Sequence, residues 1–244
     1  MRDVAGVGRR DDLARTMRQG RMAQGSRKNG GSRQLALLLE EHTRALRACR
    51  RCAFADPAVL PVTSGARTPL AMLVGQAPGK TEVVDRRPFA GRAGRTLFRW
   101  FAEAGISEDV ARERIYIAAI TRCYPGASPS GRGDRVPSPA QIAACSSWLD
   151  AELEIVSPRV LIPVGRLAIE RFLGPRPLDE QVGRAHVLEN VPGQPAAIPL
   201  PHPSGASSWI HGPGHMDLVR ESLRLIRQLL PELVLESART RSVA

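Results

Sequence analysis

The four cysteines, Cys49, Cys52, Cys123 and Cys145, form a C-x2-C pair followed, after a long gap, by two more widely spaced thiols. In a chain expected to stay in the cytosol, disulfides have little use. Cys-Arg-Arg-Cys at a helix end lets two thiolates face one metal. The other two, one just past a strand and one inside a helix, close a four-thiolate site around zinc or an iron–sulfur cluster. Buried free cysteines or a thioredoxin-like redox pair are the competing readings, and spacing alone does not choose zinc over iron–sulfur. A second chemistry gathers in GQAPGKTE (75–82), TRCYPG (121–126) and PHPSGASSW (201–209). The last of these sets His202, a side chain that exchanges protons near neutral pH, between two prolines. All three follow apolar runs that read as strands. Ligands of open α/β sheets collect outside the carboxyl ends of strands, so three such sequences on one edge mark a site.

The elements that must position these residues follow from apolar periodicity. LAMLVG (70–75), IYIAAI (115–120), RVLIPVG (159–165) and AIPL (197–200) have the length and branched content of buried strands. Helices are expected from Gln34 into the first cysteine, over 93–104 and 139–156, after Gly165, and over 214–229. The helix over 139–156 opens on Ser138-Pro139-Ala140-Gln141, with a capping serine, proline at the first helical position and glutamine at the third. The alternation implies a mostly parallel sheet with helices on both faces. Residues 124–139 and 174–196 read as irregular loops. Residues 1–33 hold nine Arg or Lys against three Asp and few large apolar side chains. They read as a flexible basic tail. One domain spans 34–232, with a C-terminal tail over 233–244.

Composition limits the partners. Over 244 residues, 43% hydrophobic and 24% charged content excludes a fibrous or wholly disordered chain. No run approaches the roughly 18 apolar residues of a membrane span, and no apolar N-terminal signal is present. The expected location is the cytoplasm, on the bacterial nucleoid, and the expected state is a monomer. The formal net charge of +11 favours a polyanion, and only Lys28 and Lys80 among the 35 basic residues are not arginine. Arginine's planar fork pairs bidentately with phosphate, so nucleic acid leads the partners.

CRRC after an N-terminal helix, VGQAPGKTEVVDRRPFAGRAGRTL, the strand ending in TRCYPG, SPAQIAACSSWL, RVLIPVGRLA and LPHPSG occur in that order between about residues 36 and 230. In this order and spacing the chain resembles the uracil-DNA glycosylase superfamily, most nearly its iron–sulfur branches, families 4 and 5. The resemblance implies a four-stranded parallel sheet in a three-layer α/β/α sandwich, a four-iron four-sulfur cluster on the four cysteines, and excision of a damaged base from DNA. It places Gly75, Gln76, Ala77, Phe89, Ala119 and His202 around the extruded base. Phe89 is the stacking face, His202 donates to a base oxygen, and the amides of the GQAPG turn form a small anion-binding nest. Ser204 is expected on a flanking phosphate. The turn from Gly205 to Ile210 enters the duplex, with Trp209 or Ile210 as the wedge. His42, His186, His211 and His215 lie outside the motif and read as surface or packing residues.

The departures from the family pattern bear on mechanism. Gln76 stands where family 4 has an acid, Ala77 where the best-known uracil glycosylases carry their catalytic Asp, and Arg92 where family 5 has one. Glu82, which matches a family 4 Glu, and Asp85 are the nearby acids, so catalysis is expected from His202, Gln76 and Glu82. Ala119 replaces the Asn whose amide reads uracil, which relaxes discrimination and leaves hypoxanthine, xanthine or another altered base open. The basic loop that traps DNA covalently in a related branch is absent. With only Lys80 near the site, a monofunctional glycosylase is expected. Two alternatives remain: a binder of flipped modified bases that does not cut, and a zinc-stabilised nucleotide-binding protein.

Overall fold

The computed structural model describes residues 29–52, 60–129, 133–204 and 208–241. A first helix, α1 (Asn29–Arg47), begins five residues ahead of the expected start. Strand β1 (Ala71–Gly75) is buried throughout and pairs in parallel with β2 (Ile115–Ala119) on one side and β3 (Val160–Pro163) on the other. Two short strands, β4 (His186–Val187) and β5 (Ala196–Ala197), complete the order β2-β1-β3-β5-β4. β5 runs parallel to β3, whereas β4 is an antiparallel edge. The sheet therefore has five strands where four were expected. The added strand is two residues long, too short to leave a periodic signal in a segment that reads as loop.

Alternation along β1 divides the core in two. Ala71 and Leu73 face one layer, built from Leu97 and Phe101 of α3 (Arg92–Glu103), Val110 of α4 (Glu108–Arg114) and Val219, Leu223 and Ile226 of α8 (His215–Leu229). Met72 and Val74 face the other, against Leu39 of α1, Leu149 and Leu153 of α5 (Pro139–Val156) and Ala168 of α6 (Arg166–Leu173). The result is the α/β/α sandwich. Two one-turn helices, α2 (Lys80–Asp85) and α7 (Leu178–Gln181), lie in the connections.

Local chemistry sets the helix ends. At α5 the Ser138 hydroxyl accepts from Gln141 N at 3.3 Å while the Gln141 side chain accepts from Ser138 N at 2.9 Å, a reciprocal cap on the expected residue. In α4, Ser107 caps Val110, Glu108 and Asp109 occupy the first turn and Arg112 and Arg114 the last, in the sense the helix dipole favours. The expected C-terminal tail is instead a ninth helix among the described residues, α9 (Pro231–Arg241). Its Leu233 and Ser237 are fully buried, and Ser237 Oγ accepts from Ser107 N at 2.9 Å. Pro231 reads as a stop for α8, yet proline is also favoured at a first helical position, and here it begins a new helix.

The outer side of β2 is occupied by an extended segment before β1. Val62 N donates to Arg122 O at 2.8 Å, and Ile117 N donates to Ser64 Oγ at 3.1 Å. Among the described residues no helix is long and apolar enough to cross a membrane. The basic segment 1–28 lies outside the described residues.

Candidate active site

Phe89 sits in the turn between α2 and α3 with φ of 50°, a left-handed backbone that bulky residues rarely adopt. Two contacts hold it there. Arg112 of α4 donates from Nη1 to Pro88 O at 2.9 Å and from Nη2 to Phe89 O at 3.1 Å. Gly94, in the first turn of α3, lets the helix close on this turn, because a Cβ there would lie 1.8 Å from Phe89 O. The ring then stands over the end of β1, where a Cβ on Gly75 would be 3.4 Å from Phe89 Cζ. Ala119, the last residue of β2, is in register with Gly75. Gln76 is held by its carbonyl, which accepts from Thr121 N at 3.2 Å. Phe89, Gly75, Gln76 and Ala119 thus meet at the carboxyl ends of β1 and β2.

His202 reaches the same edge from the extension of β5, which bridges Val164 to Leu200. Its ring packs on Gly165, where a Cβ would be 3.2 Å from Cδ2. Gly165 has φ of 83°, so both its backbone and the lack of a side chain are used. Nδ1 of His202 lies 2.8 Å from Ser204 Oγ and accepts from Ser204 N at 3.3 Å. A nitrogen that accepts a backbone N–H carries no proton, so the neutral ring bears its hydrogen on Nε2. Burial pushes the imidazole below its ordinary value. The negative charges of Asp134 and Glu82 oppose this shift without reversing it. Ser204, expected on a phosphate, thus uses its hydroxyl on His202.

Glu82 also departs from expectation. Its Oε2 accepts from Gly79 N at 3.0 Å and its Oε1 from Gly91 N at 3.2 Å. With both oxygens so engaged, it ties the GQAPG turn to the Phe89 turn. Trp209, on a 3-10 turn over Ser208–His211, is no free wedge. It stacks on His215 with centroids 4.1 Å apart, its carbonyl lies 2.6 Å from His215 Nδ1, and it packs with Ile210 against the core. Gly205 lies outside the described residues.

One group at this edge carries no signal in the sequence. Asp134 comes from the loop 124–139, read as merely polar. A Cβ on Gly79 would stand 2.9 Å from Asp134 Oδ2, and Asp134 acts electrostatically on His202. Arg112 and Gly94 also escape sequence reasoning, since their role is to shape the Phe89 turn.

The four cysteines are free thiols at the end of α1, just past β2 and in α5. Burial pushes the Cys123 thiol up to about 12, reinforced by Cys145, Cys52 and Cys49. Cys52 and Cys145 are raised as well, burial first and neighbouring cysteines after it, while the Arg122 amide and guanidinium partly offset the rise at Cys145. The four therefore sense one another's charge, although among the described residues no group of three or more His, Cys, Asp or Glu is placed to hold a single metal ion. Trp148 Nε1 donates to Cys49 Sγ at 3.3 Å. Behind them, buried Arg122 pairs with buried Glu152, whose Oε1 accepts from Tyr116 Oη at 2.8 Å and lies 3.4 Å from His42 Nε2.

Residues 63–224 match the family model described as the uracil DNA glycosylase superfamily. The chain belongs to that superfamily. It is 33% identical over 133 residues to a type-4 uracil-DNA glycosylase of Thermotoga maritima, covering 54% of this chain and 64% of the relative. A type-4 enzyme of Saccharolobus solfataricus is 27% identical over 199 residues, 79% of this chain and 85% of the relative. A type-5 uracil-DNA glycosylase of Pyrobaculum aerophilum is 34% identical over 109 residues, 40% and 45% of the two chains. Among uracil DNA glycosylase superfamily members this chain thus stands with types 4 and 5, and the strand-end residues Gly75, Gln76, Ala119 and His202 all fall inside the matched region.

Proposed function

We propose that the protein is a monofunctional DNA glycosylase that hydrolyses the N-glycosidic bond of uracil, or of another deaminated or altered base, and leaves an abasic site for base excision repair. The observation that carries this reading is the orientation of His202, whose Nε2–H is left free by Ser204 at the strand edge that also presents Phe89. A base turned out of the helix would stack on the Phe89 ring, bounded by Gly75, Ala77 and Ala119. As the glycosidic bond lengthens, negative charge grows on the base, and a neutral Nε2–H aimed at its oxygen stabilises that charge without solvent having to reorganise. Ala119 has no amide with which to read a base edge, so selectivity rests on the shape of the pocket and this one donor. The net positive charge of +11 attracts a polyanion and favours DNA as partner, and the site of action is the cytoplasm, on the nucleoid, as a monomer.

Cys49, Cys52, Cys123 and Cys145 suit a four-iron four-sulfur cluster. Cys52, Cys123 and Cys145 are pushed up by burial and by neighbouring cysteines, which favours an electropositive group that takes their protons' place. In such a cluster each of the four thiolates would bind its own iron. When bound, the cluster supplies a cross-link between α1, the exit of β2 and α5.

The test uses anaerobically purified protein on end-labelled single-stranded and duplex DNA with one uracil, followed by hot alkali. Strand cleavage at the uracil is expected, reduced about 10²–10³-fold in His202→Ala, the usual cost of losing such a donor. Selective binding to the modified base with no abasic product would favour instead a non-cutting reader, the reading that Gln76, Ala77 and Arg92 support.

A further inference from the structure

We infer that Asp134 supplies the carboxylate that takes the proton of the attacking water, the role that Gln76 and Ala77 cannot fill. This rests on the glycosylase reading above and names its missing base. The other acid at this edge, Glu82, has both oxygens committed to Gly79 N and Gly91 N. Asp134 differs in being exposed, with its Oδ2 against Gly79 at the mouth of the turn that follows β1.

Its position is built rather than incidental. Asp134 forms an antiparallel bridge with Ala127, Arg135 N donates to Gly126 O at 2.8 Å, and Ser128 N donates to Gly133 O at 3.0 Å. These pairings tie the segment around Asp134 back onto 126–128 and hold the carboxylate at the sheet edge. Burial, and after it the neighbouring Asp134 carboxylate, push the Tyr124 phenol above its ordinary value. The groups that face it are Glu82 and Tyr124, with Arg135 beside the phenol and His202 close enough to sense its charge.

The step balances as follows. Water gives one proton to the Asp134 carboxylate as its oxygen bonds to C1′ of the sugar. The C1′–N bond breaks with its electron pair leaving on the base, whose oxygen accepts from His202 Nε2–H. The base anion then takes up a proton from solvent, and Asp134 returns its own to solvent.

The experiment measures single-turnover excision of uracil by the full chain, with Asp134→Asn and Asp134→Ala compared with the unaltered protein, with and without sodium formate. Removing a general base costs about 10²–10⁴-fold, and both variants should fall in that range. Formate, a small free carboxylate, should restore Asp134→Ala at least about tenfold while leaving His202→Ala unchanged, a response that a merely structural aspartate does not give. If Asp134→Asn cuts at the unaltered rate, or if both variants are slow and formate restores nothing, Asp134 is not the base and the glycosylase reading stands. If the unaltered protein makes no abasic site at any base tried, both fall together.

Discussion

Ser204 decides where the single proton of His202 sits. Its backbone amide and its hydroxyl both converge on Nδ1, which leaves the hydrogen on Nε2. Removing the hydroxyl should loosen this choice without abolishing it, because the amide remains. Ser204→Ala is therefore expected to slow excision about tenfold, less than the loss of the whole imidazole, since one hydrogen bond is worth about 0.5–1.5 kcal/mol. A rate equal to that of His202→Ala would show that the hydroxyl acts on the substrate itself. At this scale the sequence was half legible. His202 stands out by its place after an apolar run, the four thiols by residue type and spacing, and Phe89 through the family resemblance. Glu82 reads as a reacting acid from its place after the GQAPG turn, while the amides of Gly79 and Gly91 that it accepts from converge on it only when the two turns meet. Asp134 is invisible for the same reason: a carboxylate in a Gly/Pro/Ser stretch reads as solvated until backbone pairing holds it at the sheet edge.

The turn that carries Phe89 depends on three elements at once: α2 through Glu82, α4 through Arg112 and α3 through Gly94. Gly94 is the least replaceable, since its neighbour is a backbone oxygen that cannot rotate away. Gly94→Ala should drive the Phe89 turn off its position, lowering stability by about 1–3 kcal/mol, the usual cost of overpacking, and excision by more than that loss accounts for. Thermal unfolding and single-turnover rates on the same preparation check this; a variant that loses stability but keeps its rate would detach Phe89 from the reaction. Element ends were legible where side chains write them. Ser138, Pro139 and Gln141 mark the start of α5 to the residue, whereas β4 rests on backbone pairing alone and α9 hides behind a proline that serves two roles.

Across the whole molecule, three histidines are held below their ordinary value by burial: His42, with Arg122 adding to the effect, His186 and His202. In the unfolded chain each takes up a proton near pH 6.5, before it does so when folded. The unfolded state therefore binds more protons as the pH drops below that value, and folding stability must decrease with it. The thermal midpoint is expected to fall between pH 7.5 and 5.5. A midpoint that stays level across that range would mean that protonation is accommodated without disturbing the fold. The sandwich itself was legible from the sequence because its central strands are apolar without interruption, as β1 illustrates.

The segment along β2 has a consequence for how copies of this chain behave when crowded together. An unpaired strand edge is a template on which another chain can lay its own backbone, the first step of amyloid-like assembly. On the β2 side Val62 and Ser64 already meet groups of Arg122 and Ile117 that such a chain would seek. On the opposite side β4 offers only two residues, too few to seed a ladder. Both margins of the sheet are thereby guarded against recruiting further copies of the chain.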